Sequence, residues 1–146
     1  MARKVFFSFK YEDVSRAMVV RNSWVTQGKE SAGFIDSADF EKIKKQGDDA
    51  IRKWINNQLD GTSVTVILVG GETCSSRWVK YEIQKSIERG NGLLGIDISQ
   101  IKDLQGNTSS KCGEIPVGYD FYSWIKNDGY NNMGTWIEKA AKSAGK

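Results

Sequence analysis

Apolar residues fall in two rhythms along this chain. The first is the short continuous run: Val5-Phe6-Phe7 with Ser8 and Phe9 behind it, residues 64–69 broken only by Thr65, and Leu93-Leu94-Gly95-Ile96 with Ile98 beyond. A strand that is apolar on both faces belongs inside a parallel sheet covered by helices. The second rhythm is helical. After Asp13, a plausible N-cap, come Val14, Ala17, Met18, Arg21, Trp24 and Val25. Ile43, Gly47, Ala50, Ile51, Trp54, Ile55 and Leu59 form the cleanest stripe of 3.6-residue period, and Gly61 stops it. Val79, Ile83 and Ile87 mark a third helix over 76–88, ended by Arg89-Gly90-Asn91-Gly92. Met133, Trp136, Ile137, Ala140 and Ala141 mark a last one, capped by Asn131 or Asn132.

Strands are then expected at 4–9, 33–36, 63–69, 93–98 and 121–125. Strand and helix alternate throughout, which predicts an α/β three-layer fold with right-handed crossovers and helices on both faces of a parallel sheet. The first strand is the most apolar and takes a central place. That gives the flavodoxin-like order 2-1-3-4-5, with a ligand crevice where strands one and three end. The loops there are Lys10-Tyr11-Glu12 and Gly70-Gly71-Glu72-Thr73. The polar stretch 99–118 holds the only proline, Pro116, and is long for a structureless connection. It reads as a mobile insertion or a partner surface.

Length suits one domain over residues 1–146. The net charge of +3, spread among acids, is too weak to point to nucleic acid. Histidine is absent, which removes Ser-His-Asp and Cys-His nucleophile systems and the commonest metal ligand. Cys74 and Cys112 stand apart with no C-x-x-C, against a zinc site. With no secretory context, the expectation is reduced thiols in a cytoplasmic protein, Cys74 being a buried spectator. The apolar run at 5–7 is too short for a signal peptide, and nothing approaches a membrane span.

The stretch 73–83, Thr-Cys-Ser-Ser-Arg-Trp-Val-Lys-Tyr-Glu-Ile, follows a strand and a Gly-Gly turn. On a helix Trp78 and Glu82 share one face, beside the stripe of Val79, Ile83 and Ile87. An acid there can be partly desolvated and reactive; the plain alternative is a solvated glutamate on an amphipathic helix. Other chemistries fail on particular residues. A phospho-accepting receiver needs an aspartate where strand three instead ends in Val69-Gly70-Gly71. A flavin-phosphate loop needs small residues where Phe9-Lys10-Tyr11 stands, and neither G-x-x-x-x-G-K-[ST] nor G-x-G-x-x-G occurs.

Two segments carry a family resemblance. Lys4-Val5-Phe6-Phe7-Ser8-Phe9-Lys10 resembles the first strand of Toll/interleukin-1 receptor (TIR) domains, and Ser76-x-Trp78-Val79-x-x-Glu82-Ile83 resembles their active-site helix. With Tyr11-Glu12-Asp13 and the late Asn132-Met133-Gly134-Thr135-Trp136-Ile137, the chain is similar to the TIR-like proteins of bacterial Thoeris anti-phage systems, from Lys4 to about Ala141. Residues 34–43 depart from the pattern, since no TIR BB loop is recognisable there. The resemblance implies a flavodoxin-like TIR fold, NAD as substrate with no separate cofactor and no metal, and Glu82 as the catalytic residue. It implies a cyclic ADP-ribose isomer that reaches an effector protein by diffusion, an unidentified phage trigger, and self-association. The competing reading is a non-catalytic TIR-like adaptor acting by homotypic association. Around Glu82, Trp78 is expected against the nicotinamide or adenine ring, or as a mere shield of the helix. Lys10 would meet a phosphate, or be a solvated strand end. Ser8, Phe9 and Tyr11 would line the same mouth, Phe9 being equally a core residue, and Asp36 would bond a ribose hydroxyl or cap a turn.

Overall fold

The computed structural model describes residues 4–25, 31–32 and 42–146. In chain order the elements are β1 (Val5–Ser8), α1 (Val14–Val25), β2 (Ser31–Ala32), α2 (Asp48–Leu59), β3 (Val64–Val69), α3 (Arg77–Glu88), β4 (Gly92–Asp97), β5 (Asp120–Ser123) and α4 (Gly129–Ser143). The five strands are parallel and ordered β2-β1-β3-β4-β5, as the apolar runs predict. Val5 pairs with Val64 and Ser8 with Ile67, so β3 reaches past β1 before Gly70 and Gly71 turn the chain into α3.

β1 and β3 are buried along their whole length. On one face Val5, Phe7, Val66, Leu68 and Ile96 pack with Trp24 of α1 and Met133 and Ile137 of α4. On the other face the apolar contacts split into two clusters. Phe6 packs with Ile51, Ile55 and Leu59 of α2, while Ile67, Val69 and Leu93 pack with Val79 of α3. Ile83 of α3 packs against the second cluster half-buried, and the other buried side chains of α3 are polar: Glu82 meets Ser8 of β1, and Ser86 meets Thr65 of β3.

Several expectations move. The buried residues of α3 are Val79, Glu82 and Ser86, while Ile87 is 40% exposed. The apolar spacing placed the helix one residue too far round, because polar partners on the sheet accept an acid and a hydroxyl. α1 buries Arg16, Ala17, Val20, Ser23 and Trp24 in place of Met18 and Arg21. Asp13 does not cap it; it closes a 3-10 turn, Tyr11–Asp13, and is buried beside Arg16. The stripe from Ile43 to Leu59 breaks at Gly47, whose φ of 98° suits glycine alone, so α2 begins at Asp48. Strand two lies at 31–32, and the expected 33–36 falls outside the described residues. α4 starts at Gly129 without a side-chain cap, leaving Asn131 and Asn132 inside the helix.

The stretch 99–118 is tied down, contrary to a mobile insertion. Arg16 donates from Nε to the Ile101 carbonyl (2.7 Å) and from Nη2 to the Asn107 carbonyl (2.9 Å). The Cys112 N–H donates to the Gly70 carbonyl and the Cys74 N–H to the Cys112 carbonyl. Cys74 and Cys112 are joined as a disulfide with Cα atoms 5.2 Å apart, and Cys74 is exposed, so neither the free thiols nor the buried spectator holds. The reason is topological. β3 and β4 are neighbours, so the segments that follow them meet although the cysteines are 38 residues apart.

Where β4 passes α4 the backbones nearly touch: a Cβ on Gly92 would lie 2.5 Å from the Ala140 carbonyl oxygen. Gly92→Ala should therefore lower the free energy of unfolding in urea by about 1–3 kcal/mol. A midpoint equal to that of the unsubstituted protein would mean that α4 can step back at no cost.

Candidate active site

A cavity of about 370 Å³ opens at the carboxyl end of β1, beside the turn from β3 into α3. This is the crevice that the strand order predicts. Phe9, Lys10 and Tyr11 approach it from β1, and the start of α3 approaches from the other side. There the Ser76 hydroxyl accepts the Val79 N–H (3.2 Å), which fixes the first turn of α3. With Val79 anchored in the core, the residue three on points at the same sheet. That residue is Glu82.

Glu82 is 6% exposed and lines the cavity. Ser8, 0% exposed, donates its hydroxyl to Glu82 Oε1 at 2.8 Å. Among the described residues no cation pairs with this carboxyl. Burial therefore pushes its pKa from the ordinary 4.5 up to about 8, against the opposing pull of the Ser8 bond. The helix is held there by hydroxyls. Ser86 donates to the Glu82 carbonyl (2.7 Å), so the proton between Ser86 and Thr65 (2.7 Å) comes from Thr65, which in turn accepts from Asn91 (3.3 Å). These directional bonds set α3 against β1 and β3 alongside the packing of Val79.

The other expected site residues divide. Ser8 lies behind Glu82, fully buried, so its contact is with the acid and not with the cavity mouth. Phe9 reaches the cavity yet packs against the core beneath α1. Lys10 Nζ donates to Ser75 Oγ (2.8 Å), and that hydroxyl donates to the Glu72 carbonyl (2.8 Å), so the ammonium is positioned beside the turn. Tyr11 lines the cavity, half-buried. Trp78 is half-buried against the α2 cluster, with Tyr81 edge-on at 5.8 Å and the Arg77 guanidinium 4.6 Å from its ring centre. Asp36 lies outside the described residues. Lys44, Trp54 and Arg77 also line the cavity and were not foreseen. Trp54 belongs to the α2 stripe and reads as plain core, and the Arg77 to Asp48 ion pair (2.7 Å) joins elements 29 residues apart. No local spacing signals either.

Behind the crevice Asp13 and Gly70 are in contact, and any Cβ on Gly70 would collide with the Asp13 carboxylate. Burial raises the Asp13 pKa, while its charge and hydrogen-bond pairing with Arg16 (3.4 Å) pulls it back. The pair closes the base of the site and anchors the stretch after β4.

Residues 6–103 match the family model described as Thoeris protein ThsB, TIR-like domain. A Bacillus cereus (strain MSX-D12) protein named "Putative cyclic ADP-D-ribose synthase ThsB1" is 45% identical over 139 residues, covering 93% of this chain and 72% of that protein. Among solved structures, the TIR domain of the Toll-related receptor TRR-2 from Hydra magnipapillata matches with a TM-score of 0.61. That match spans 94% of this chain and 97% of the receptor domain at 9% identity, a likeness of fold.

The buried acid makes stability depend on pH. Between 4.5 and about 8 the unfolded chain has released the Glu82 proton that the folded chain keeps, so this group's contribution falls as pH rises. Glu82→Gln, neutral throughout, should match the parent near pH 4.5 and exceed it above pH 8, by on the order of a few kcal/mol. Urea unfolding at the two pH values measures the difference, and a pH-independent difference would mean that Glu82 ionises normally. Ser8→Ala removes the bond that favours the carboxylate. The Glu82 carboxyl resonance, followed by carbon NMR, should then titrate at higher pH than in the parent; a titration at or below the parent's would rule out that role for Ser8.

Proposed function

The chain belongs to the Thoeris ThsB TIR-like domain family, and from that premise we propose that it is an anti-phage defence enzyme that cleaves NAD at the nicotinamide–ribose bond and forms a cyclic ADP-ribose isomer. The observation that carries the reading is one buried carboxyl, Glu82, at the wall of a cavity that is also lined by the exposed Glu12 and by three cations, Lys10, Lys44 and Arg77.

The chemistry suits one acid and no histidine. The nicotinamide of NAD is already a cationic leaving group. When the bond from ribose C1′ to the ring nitrogen breaks, its electron pair neutralises that nitrogen, and no general acid has to protonate it. Positive charge moves to the ribose as an oxocarbenium-like centre. Glu82, as carboxylate, stabilises that centre or forms a transient ester with it, as one carboxylate does in glycoside hydrolysis. A hydroxyl or ring nitrogen of the same ADP-ribose then attacks C1′ and loses its proton, which closes the cyclic product; attack by water gives ADP-ribose instead. The cations suit the two phosphates. Tyr11 and Trp78 bound the cavity, and Ser8 orients the acid.

Glu82 is mostly protonated in the free protein at neutral pH, and the positive ring of the substrate favours its ionisation. Binding thus generates the reactive form. The chain acts as one TIR-like domain in the cytoplasm, self-associates, responds to a phage-derived trigger, and signals to a separate effector through its product.

The test is NAD consumption with product masses resolved, by the purified protein and by Glu82→Gln, alone and in lysate of phage-infected cells. The parent should yield an ADP-ribose isomer, and Glu82→Gln should lose at least about 100-fold in rate. Turnover retained in the variant would remove Glu82 from the chemistry, and no turnover by the parent in infected lysate would favour the adaptor. For the parent, kcat/KM should rise with pH to a plateau above about 8, and kcat should level off at lower pH because the bound substrate favours the carboxylate. Coincident profiles would contradict ionisation on binding.

A further inference from the structure

The turn that leads into α3 is shared by two cavities. Ser75, Ser76, Arg77 and Glu82 line the one described above. A second, of about 410 Å³, is bounded by Cys74, Val79, Lys80, Ile83, Gly113 and Glu114. The Cys74–Cys112 disulfide stands at this second cavity, with Cys74 exposed and Cys112 half-buried. Cys74 is the middle residue of a 3-10 turn, Thr73–Ser75. The next residue, Ser75, receives Lys10 (2.8 Å), and the one after it, Ser76, caps α3. The bridge therefore fastens the very turn that places Lys10 and starts the helix of Glu82.

Two features make this bridge a reversible one. In the cytoplasm proposed above, disulfides are transient and redox-sensing, and exposed ones are the most readily reduced. The two segments are also joined without it. The Cys74 N–H donates to the Cys112 carbonyl (2.7 Å) and the Cys112 N–H to the Gly70 carbonyl (2.9 Å), bonds that need no sulfur. Opening the bridge thus loosens the turn but keeps the cysteines near enough to rejoin.

We propose that Cys74–Cys112 is a thiol–disulfide exchange site, reached by a small thiol through the second cavity, and that the bridged form holds the active-site turn in its working geometry. The small thiolate attacks Cys74 Sγ, the S–S bond breaks, and Cys112 leaves as a thiolate and takes up a proton. A second small thiol attacks the sulfur of the first; Cys74 leaves, is protonated, and a disulfide of the two small thiols departs. The chain gains the two electrons and two protons that the small thiols lose, and oxidation by their disulfide runs the same steps backward. Lys80 draws the incoming thiolate, and Glu114 opposes it. The exchange chemistry stands on the geometry alone; its consequence for turnover rests on the NAD-cleaving reading.

The full chain is equilibrated with graded ratios of reduced and oxidised glutathione, and its thiols are trapped and counted by mass. Bridged and dithiol forms should interconvert, and Cys112→Ser should take up one glutathione, at Cys74. Amide hydrogen exchange compares the two forms: residues 74–79 should exchange about tenfold more slowly when bridged, and α4 alike in both. Reduction should lower NAD turnover by about ten- to a hundredfold, as displacement of a positioning turn does. Cys112→Ser free of glutathione should match the reduced chain and ignore reductant. No bridge in oxidised glutathione, equal exchange in both forms, or equal turnover by both would overturn the proposal. Turnover by neither form would overturn the functional reading instead, and the thiol count and the exchange rates would still decide the redox site. Reduction alters no residue, so the comparison holds even if Cys112→Ser does not fold.

Discussion

A carboxyl group on the sheet-facing side of a helix is expensive unless something accepts it, and the acceptor here is the hydroxyl of Ser8 on the central strand. Much of the rest is arranged around that contact. Val79 and Ser76 set the rotation of α3, and Ser86 with Thr65 repeats the polar pairing one turn on. The apolar core of this face is divided as a result, with the α2 cluster on one side and the β3–β4 cluster on the other. An ordinary amphipathic helix would place an isoleucine where Glu82 stands and gain burial energy. This one gives up that energy and holds an acid whose proton affinity is set by the fold.

The same contact links structure to the chemistry proposed. A glutamate in water is ionised at neutral pH whether or not substrate is present. Burial with no paired cation among the described residues instead raises the pKa of Glu82 to about 8. The cations of the cavity belong to other partners: Lys10 to Ser75 and Arg77 to Asp48 and the face of Trp78. They leave Glu82 unneutralised while still offering positive charge to phosphates. Under the reading proposed, Glu82 and these cations serve the oppositely charged parts of one dinucleotide.

The base of the crevice depends on chain segments far apart in sequence. Asp13 closes on Gly70, Arg16 reaches the carbonyls of Ile101 and Asn107, and Cys112 bonds to Gly70 and Cys74. Strand β5 and α4 then complete the sheet and cover its other face, with Tyr122 stacked on Trp136 at 4.1 Å. The polar stretch after β4 is therefore a strap across the site's foundation, held by backbone bonds and one buried arginine, with Ile101 and Ile115 packed against the core.

That difference in materials decides what could be read beforehand. Apolar runs and 3.6-residue stripes gave the alternation of strands and helices, the central place of β1, the order of the sheet and hence the position of the crevice, because burial of apolar surface is recorded residue by residue in the chain. The Ser-x-Trp and Glu82 spacing, with the first-strand motif, pointed to the family and to the acid. The sequence could not place Glu82 on the buried face, since the apolar stripe of Val79, Ile83 and Ile87 argues for a neighbouring one, and only the hydroxyls of Ser8 and Thr65 across the interface overrule it. Nor could it show that Ser8 faces the acid, that Trp54 borders the cavity, or that Cys74 meets Cys112. Those are pairings between elements tens of residues apart. Hydrogen bonds and covalent bridges are fixed by where two partners meet in space, and no periodicity within either partner records that meeting.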